Sequence, residues 1–187
     1  ALPIYLAHQV EDLRRAIPLV DHWVYFNERQ KKVLLENGVP LESMSYNPPY
    51  FDETIFRKLE TPRSELAESF GLDAKLLEKR FVIGSFQRDS LREDLRKPRW
   101  QKNPDMVIDV LRRLDRERFL LLLVGPRRHY IIARCRELGL PFVYVGDIKL
   151  VDSGVDDIGV NVLPLEKMNR LYNLTDCYMV GSKSEGT

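Results

Sequence analysis

At 187 residues the chain is long enough to bury a real core and to hold one or two domains. Its composition, 44% hydrophobic and 30% charged, is that of an ordinary globular protein and excludes a disordered or fibrous class. The net charge of +1 gives no electrostatic footprint for nucleic acid or an acidic membrane. No apolar run approaches the roughly eighteen residues that would suggest a membrane span. No basic-then-apolar leader is visible, so no secretory signal is read. The cysteines, Cys135 and Cys177, read as small apolar filler in a reducing compartment.

Residues 3–7 (PIYLA) form a short apolar run ending at His8 and read as a buried strand with a polar tip. Residues 10–20 are partly apolar, and any helix there stops near Pro18. Trp23 to Phe26 is a strand by its β-formers. Asn27 can cap a helix over residues 28–36, which Asn37 and Gly38 terminate. Pro48 and Pro49 keep residues 44–52 extended or turning. Thr61 and Pro62 read as the capped start of a helix reaching Phe70, and Asp73 as the cap of a shorter one ending at Lys79. From there strands and helices alternate. Strands are expected at residues 81–86, 119–124, 142–145 and 177–180. Helical stripes lie over residues 104–114, over Ile131, Cys135 and Leu138, and over Leu165, Met168 and Tyr172. Residues 149–161 read as a loop. Near-continuous apolar strands alternating with helices imply an α/β fold, parallel sheets with helices on both faces.

A parallel sheet delivers the C-terminal ends of its strands to one edge, where ligands bind. Four turns are expected there: 85–102, 125–129, 146–149 and 181–186. The first carries Arg88 and a basic run to Lys102, followed by Asn103 as a helix cap and Pro104 as the first helical residue. Arg88 and Lys102 thus lie near a helix N-terminus, where an anion is favoured. Lys97 and Arg99 compete with Lys102 for that role. Arg92, Glu93, Asp94 and Arg96 read as a solvated charged loop. Gly125 lets the backbone pass close to a ligand. Glu185, in the fourth turn, is a carboxylate at the same edge, where its charge would keep it away from a bound anion. His8, His22 and His129 are scattered, and no Cys/His cluster has metal spacing. Neither a phosphate loop, nor a G-x-S-x-G elbow, nor G-x-G-x-x-G is present, which argues against hydride transfer with a dinucleotide.

Residues 171–187, LYNLTDCYMVGSKSEGT, resemble the "LY-x-x-aD-x-x-v-x-x-S-x-x-EG" segment of family-4 retaining glycosyltransferases, which have two Rossmann-like domains in the GT-B architecture. Other matches are Arg88 and Lys102 to "G-x-x-x-R…K-N/G", Val124-Gly125-Pro126 to "l-v-G-x-G/P", and Gly146-Asp147-Ile148 to "flG-x-v". Asn47 to Phe56 is similar to the family's interdomain connection. The resemblance implies residues 1–57 as the end of an N-terminal acceptor-side domain with the connection, and residues 58–187 as an incomplete C-terminal donor-binding domain. It implies Arg88 and Lys102 on the donor diphosphate, the Gly125-Pro126 and Asp147-Ile148 turns against the donor, and Gly186 beside phosphate. Glu185, the first Glu of the family's E-x7-E motif, would lie against the donor hexose, and His8 would face the interdomain cleft; these two are the candidate catalytic residues.

The implied activity is transfer of a sugar from a nucleotide diphosphate sugar to a hydroxyl acceptor, with retention, without metal and without a cofactor. The acceptor, a glycan, lipid or small molecule, is left open. No nucleic acid is expected. The implied location is cytoplasmic, with contact at a membrane surface compatible. Competing readings are an epimerase-like two-Rossmann enzyme and a non-catalytic nucleotide or nucleic-acid binding module. The sequence begins without Met and ends inside the motif. It therefore reads as part of a longer protein and is expected to turn over donor poorly by itself.

Overall fold

The computed structural model describes residues 10–48 and 50–183. The strand expected over residues 3–7, and with it His8, Glu185 and Gly186, lies outside the described residues. The chain divides into two compact units, one ending at Phe51 and one beginning at Asp52.

In the first unit, α1 (Val10–Ala16) gives way to a 3-10 turn over Ile17–Leu19, where Pro18 can donate no amide. A β-α-β unit follows: β1 (Trp23–Tyr25), α2 (Glu28–Glu36) and β2 (Met44–Tyr46), with the strands parallel and Trp23 opposite Met44. Asn27 caps α2 as expected, its side-chain oxygen accepting from the Gln30 N–H at 2.9 Å. Gly38, at φ 87°, turns the chain out of the helix. Leu13, Tyr25, Leu34, Val39 and Met44 make this unit's core.

The second unit begins with two short helices, α3 (Arg63–Glu68) and α4 (Ala74–Glu78). The alternation then runs β3 (Phe81–Ser85), α5 (Pro104–Leu111), β4 (Phe119–Val124), α6 (His129–Leu138), β5 (Phe142–Val145), α7 (Ile148–Asp152), α8 (Leu165–Tyr172) and β6 (Cys177–Tyr178). The four strands form one parallel sheet in the order β5-β4-β3-β6. All six residues of β4 are buried, and the two-residue period of a strand divides them. Phe119, Leu121 and Leu123 join Val107, Ile108, Leu111, Ile131 and Ile132 of α5 and α6. Leu120, Leu122 and Val124 join Leu66, Ala67, Leu77 and Leu171 of α3, α4 and α8. Helices therefore cover both faces of the sheet, as the apolar strands imply.

Several local expectations are corrected. α3 starts one residue later than expected. Pro62 occupies the cap position with an extended ψ of 143°, and no side chain caps the helix. Asn103 is the cap residue of α5, but its left-handed backbone (φ 44°, ψ 55°) leaves its side chain without a capping bond. α5 ends at Leu111, and Leu114, 40% exposed, lies in a closing turn instead of on the apolar stripe. Residues 149–161 are not all loop, because α7 begins at Ile148 and the Asp147 carboxylate accepts from the Lys149 N–H at 2.9 Å. β6 pairs with β3 over two residues only, Cys177 and Tyr178. Among the described residues no helix is long and apolar enough to cross a membrane.

Candidate functional site

All four strands are parallel, so their C-terminal ends share one edge, and the turns beyond them are bonded to one another. The first and second turns meet where the N–H groups of Asp89 and Ser90 both donate to the Arg127 carbonyl, at 3.2 and 3.1 Å. The second is tied to the end of β5, just before the third turn, by the Tyr144 hydroxyl, which donates to the Gly125 carbonyl at 3.0 Å. The first and fourth are joined by Lys183 N–H to the Gln101 carbonyl at 2.9 Å and by Ser182 with Gln87 at 3.1 Å. Gly181 packs so close to this loop that a Cβ there would lie 2.8 Å from the Asn103 carbonyl oxygen. A larger residue would push the fourth turn off the first.

Between the first and second turns lies a cleft of about 520 Å³. Four arginines line it, Arg88, Arg92, Arg99 and Arg127, together with Glu93, Trp100 and Gln101. Arg88 and Arg92 are exposed and Arg99 half-buried. Trp100 is 65% exposed, with the Lys183 ammonium 6.0 Å from its ring centroid. An isolated bridge between Ser90 and Pro98 folds the intervening residues into a hairpin that carries Arg92 and Glu93. Arg127 is itself paired with Asp156, so Arg88, Arg92 and Arg99 against Glu93 leave a net positive lining suited to an anion with several oxygens. Lys102 is half-buried in the 3-10 turn before α5 and is not among the cleft-lining residues. Lys97 is paired with Asp94 at 3.5 Å and is also outside the lining.

Arg127 was not singled out by sequence. Its φ of 56° is unusual for a residue with a side chain. Two acids hold it there. Its backbone N–H donates to Asp157 at 2.7 Å, and its guanidinium makes two bonds to Asp156, at 2.9 and 2.7 Å. Those bonds raise the Arg127 guanidinium above its ordinary value and hold the Asp156 carboxyl below the usual range.

Asp157 is wholly buried and bonded to Asn161 at 2.6 Å and to the Tyr144 hydroxyl at 3.3 Å. Burial first, and the Asp157 charge second, raise the Tyr144 phenol, so it remains a donor. Asn161 in turn accepts from the Asp147 N–H at 2.8 Å. The stretch after α7 thus clasps the Gly125 and Asp147 turns from below. The dipeptide Asp156-Asp157 is the only sequence sign of it, and such a pair more often marks a solvated loop. Gly125, at φ 89°, is buried, Pro126 and Ile148 are half-buried, and Asp147 is exposed. No group of three or more His, Cys, Asp or Glu side chains able to hold a metal occurs among the described residues.

No family model matches the chain, and no curated protein matches it. Solved structures do. Three crystal structures of Anabaena Alr3699/HepE superpose on it, each at 16% identity. They are the complex with UDP and glucose (TM-score 0.61, covering 94% of this chain and 43% of that one), the complex with UDP (0.62, 94% and 43%), and the complex with UDP-glucose (0.60, 95% and 44%). The chain therefore spans less than half the length of the structures it matches. At this identity the likeness shows the fold, an α/β Rossmann-like architecture with parallel sheets flanked by helices.

Proposed function

We propose that the chain is the donor-binding portion of a glycosyltransferase with two Rossmann-like domains, using a nucleotide diphosphate sugar. The observation that carries this reading is the arginine-lined cleft at the C-terminal edge of a parallel sheet. Two lines support it: the solved structures of like fold hold UDP, and one holds UDP-glucose, while the motif residues resemble family-4 enzymes. Arg88 is the first cationic grip on the diphosphate. Lys102 and Arg99 compete for the second, and Arg99 shares the cleft with Arg88. The turns at Gly125-Pro126 and Asp147-Ile148 lie against the nucleoside.

The chemical work is stabilisation of the leaving group. As the glycosidic bond breaks, negative charge grows on the diphosphate, and the guanidinium groups of the cleft meet it. Transfer with retention, without a metal, follows from the resemblance, with Glu185 and Gly186 toward the sugar and phosphate and His8 on the acceptor side. A hydroxyl of a glycan, lipid or small molecule is the acceptor. The test is calorimetric titration of the chain with UDP, GDP, ADP and their glucose conjugates, followed by transfer assays with the native protein. Saturable binding of one nucleotide family supports the reading. Binding of RNA with a steep salt dependence and no nucleotide preference would replace it with the nucleic-acid module.

A further inference from the structure

Beneath the arginine cleft lies an ion pair that takes no direct part in it. The Asp89 and Arg128 side chains are 4% and 1% exposed, and Arg128 Nε stands 3.0 Å from Asp89 Oδ2. The contact lacks hydrogen-bond alignment, and Arg128 Nη1 has no hydrogen-bond partner among the described residues. The remaining bonds run from Arg128 Nη2 to Ser85 Oγ at 2.9 Å and from the Ile131 N–H to Asp89 Oδ1 at 3.1 Å. Ser90 Oγ also donates to Asp89 Oδ1 and accepts from the Tyr130 N–H at 2.9 Å. A buried pair with an unsatisfied donor is a poor source of stability. Apolar residues of the same volume usually do as well or better. What the pair supplies is geometry. Asp89 directly follows Arg88 and Arg128 directly follows Arg127, so one contact joins the two turns at the positions adjoining both cleft arginines.

We propose that the Asp89–Arg128 pair is a positioning device, which locks the first turn to the second so that Arg88 and Arg127 face one anion. The pair is buried and outside the cleft lining, and it acts only through its neighbours in sequence. The inference rests on the donor reading for the identity of the anion, but not for the clamp itself. Residues that orient binding groups in this indirect way are worth about ten- to a hundred-fold in affinity at metal sites.

The experiment compares the native chain with Asp89→Asn/Arg128→Met and with Arg128→Lys. Affinity is measured for UDP and for inorganic pyrophosphate, and amide hydrogen exchange is followed residue by residue. In the double variant the Asp89, Ser90, Tyr130 and Ile131 amides should exchange at least about ten-fold faster, while Leu121 to Leu123 keep their protection. Both ligands should bind about ten-fold or more weakly. Arg128→Lys keeps the charge but loses the planar guanidinium that reaches Asp89 and Ser85 together, and it should fall between. If the double variant does not fold, Arg128→Lys carries the same comparison. Unchanged affinity with unchanged loop exchange overturns the proposal, as does uniform acceleration through β4. If the native chain binds neither UDP nor pyrophosphate, the donor reading fails. The exchange pattern then decides the clamp alone, local loosening supporting it and a uniform change sinking it.

Discussion

Arg63 grips Asp176 with two hydrogen bonds, at 3.0 and 2.9 Å, across 113 residues of chain. The same carboxylate accepts from the Val82 N–H at 2.7 Å. It therefore ties the first turn of α3, the start of β3 and the start of β6 together at the N-terminal edge of the sheet, opposite the cleft. In the sequence Asp176 stood out only as a residue of the resembling motif. Its bonding identifies it as a structural group.

That bonding has a pH signature. Partial burial raises the Asp176 carboxyl, but the bonds from Arg63 and the Val82 N–H outweigh it and hold it below the ordinary range. A carboxyl with a depressed folded-state value stabilises the fold above its unfolded value, near pH 4, and loses that contribution as pH falls through the folded value. Asp176→Asn should therefore cost about 1–2 kcal/mol at neutral pH, since it weakens a charge-assisted pair and an N–H contact. Its stability should also vary less with pH below about 4. Urea denaturation at pH 7 and at acid pH reads both. An equal loss at the two would rule out the assignment.

Gly125 sits at φ 89°, and a Cβ there would meet nothing nearer than the Phe86 carbonyl at 3.5 Å. Space is therefore not the constraint; backbone conformation is. Gly125→Ala should destabilise by at least about 1–2 kcal/mol, the steric cost of a left-handed backbone for an L-residue. It should also weaken UDP binding, because the strain falls on the turn that Tyr144 holds. A thermal melt together with a UDP titration checks the pair of effects, and a fully stable variant would show that the turn adopts another conformation.

The regular part of this fold was open to reading because it depends on local patterns. The runs 119–124 and 142–145 are bounded in the structure where the apolar sequence bounds them, and Asn27 and Asp73 act as caps. What escaped depends on partners far along the chain. Asp157 and Asn161 look like loop residues until α7 and the β5 turn place them under Gly125 and Asp147. Arg128 follows Arg127 as one of two like charges, and only its pairing with Asp89 explains why one is buried and the other faces the cleft. Asn103 has the side chain of a good cap without cap geometry, because the tight turn before α5 puts it in the left-handed region.

Asn27 offers a check on the first unit by itself. Its side chain satisfies one of the free N–H groups at the start of α2, and Gln30 reaches back to the Phe26 N–H at 2.8 Å. Asn27→Ala should cost about 1 kcal/mol, and Asn27→Asp should restore it. Hydrogen exchange of the α2 amides would register the local fraying even if the second unit melts independently.

The last prediction separates the candidate grips on the diphosphate. The resemblance assigns Arg88 and Lys102, whereas the cleft sets Arg88 beside Arg92, Arg99 and Arg127. Gln substitutions keep length and polarity while removing charge. Arg88→Gln and Arg99→Gln should each weaken UDP binding by about 1.5–3 kcal/mol, the range for hydrogen bonds to charged groups. Lys102→Gln should cost less, because Lys102 lies outside the lining. Lys97→Gln should cost nothing measurable, its exposed pair with Asp94 being worth about 0–1 kcal/mol. Each effective substitution should also reduce the salt dependence of binding, since one fewer cation meets the phosphates. Uridine, which lacks the diphosphate, should bind all four variants with native affinity. If Lys102→Gln matched Arg88→Gln while Arg99→Gln were neutral, the diphosphate would sit against the N-terminus of α5, and the arginine cleft would be left for another anion. If uridine binding fell along with UDP binding, the substitutions would be disturbing the turns themselves, and the assignment of charge to the diphosphate would fail.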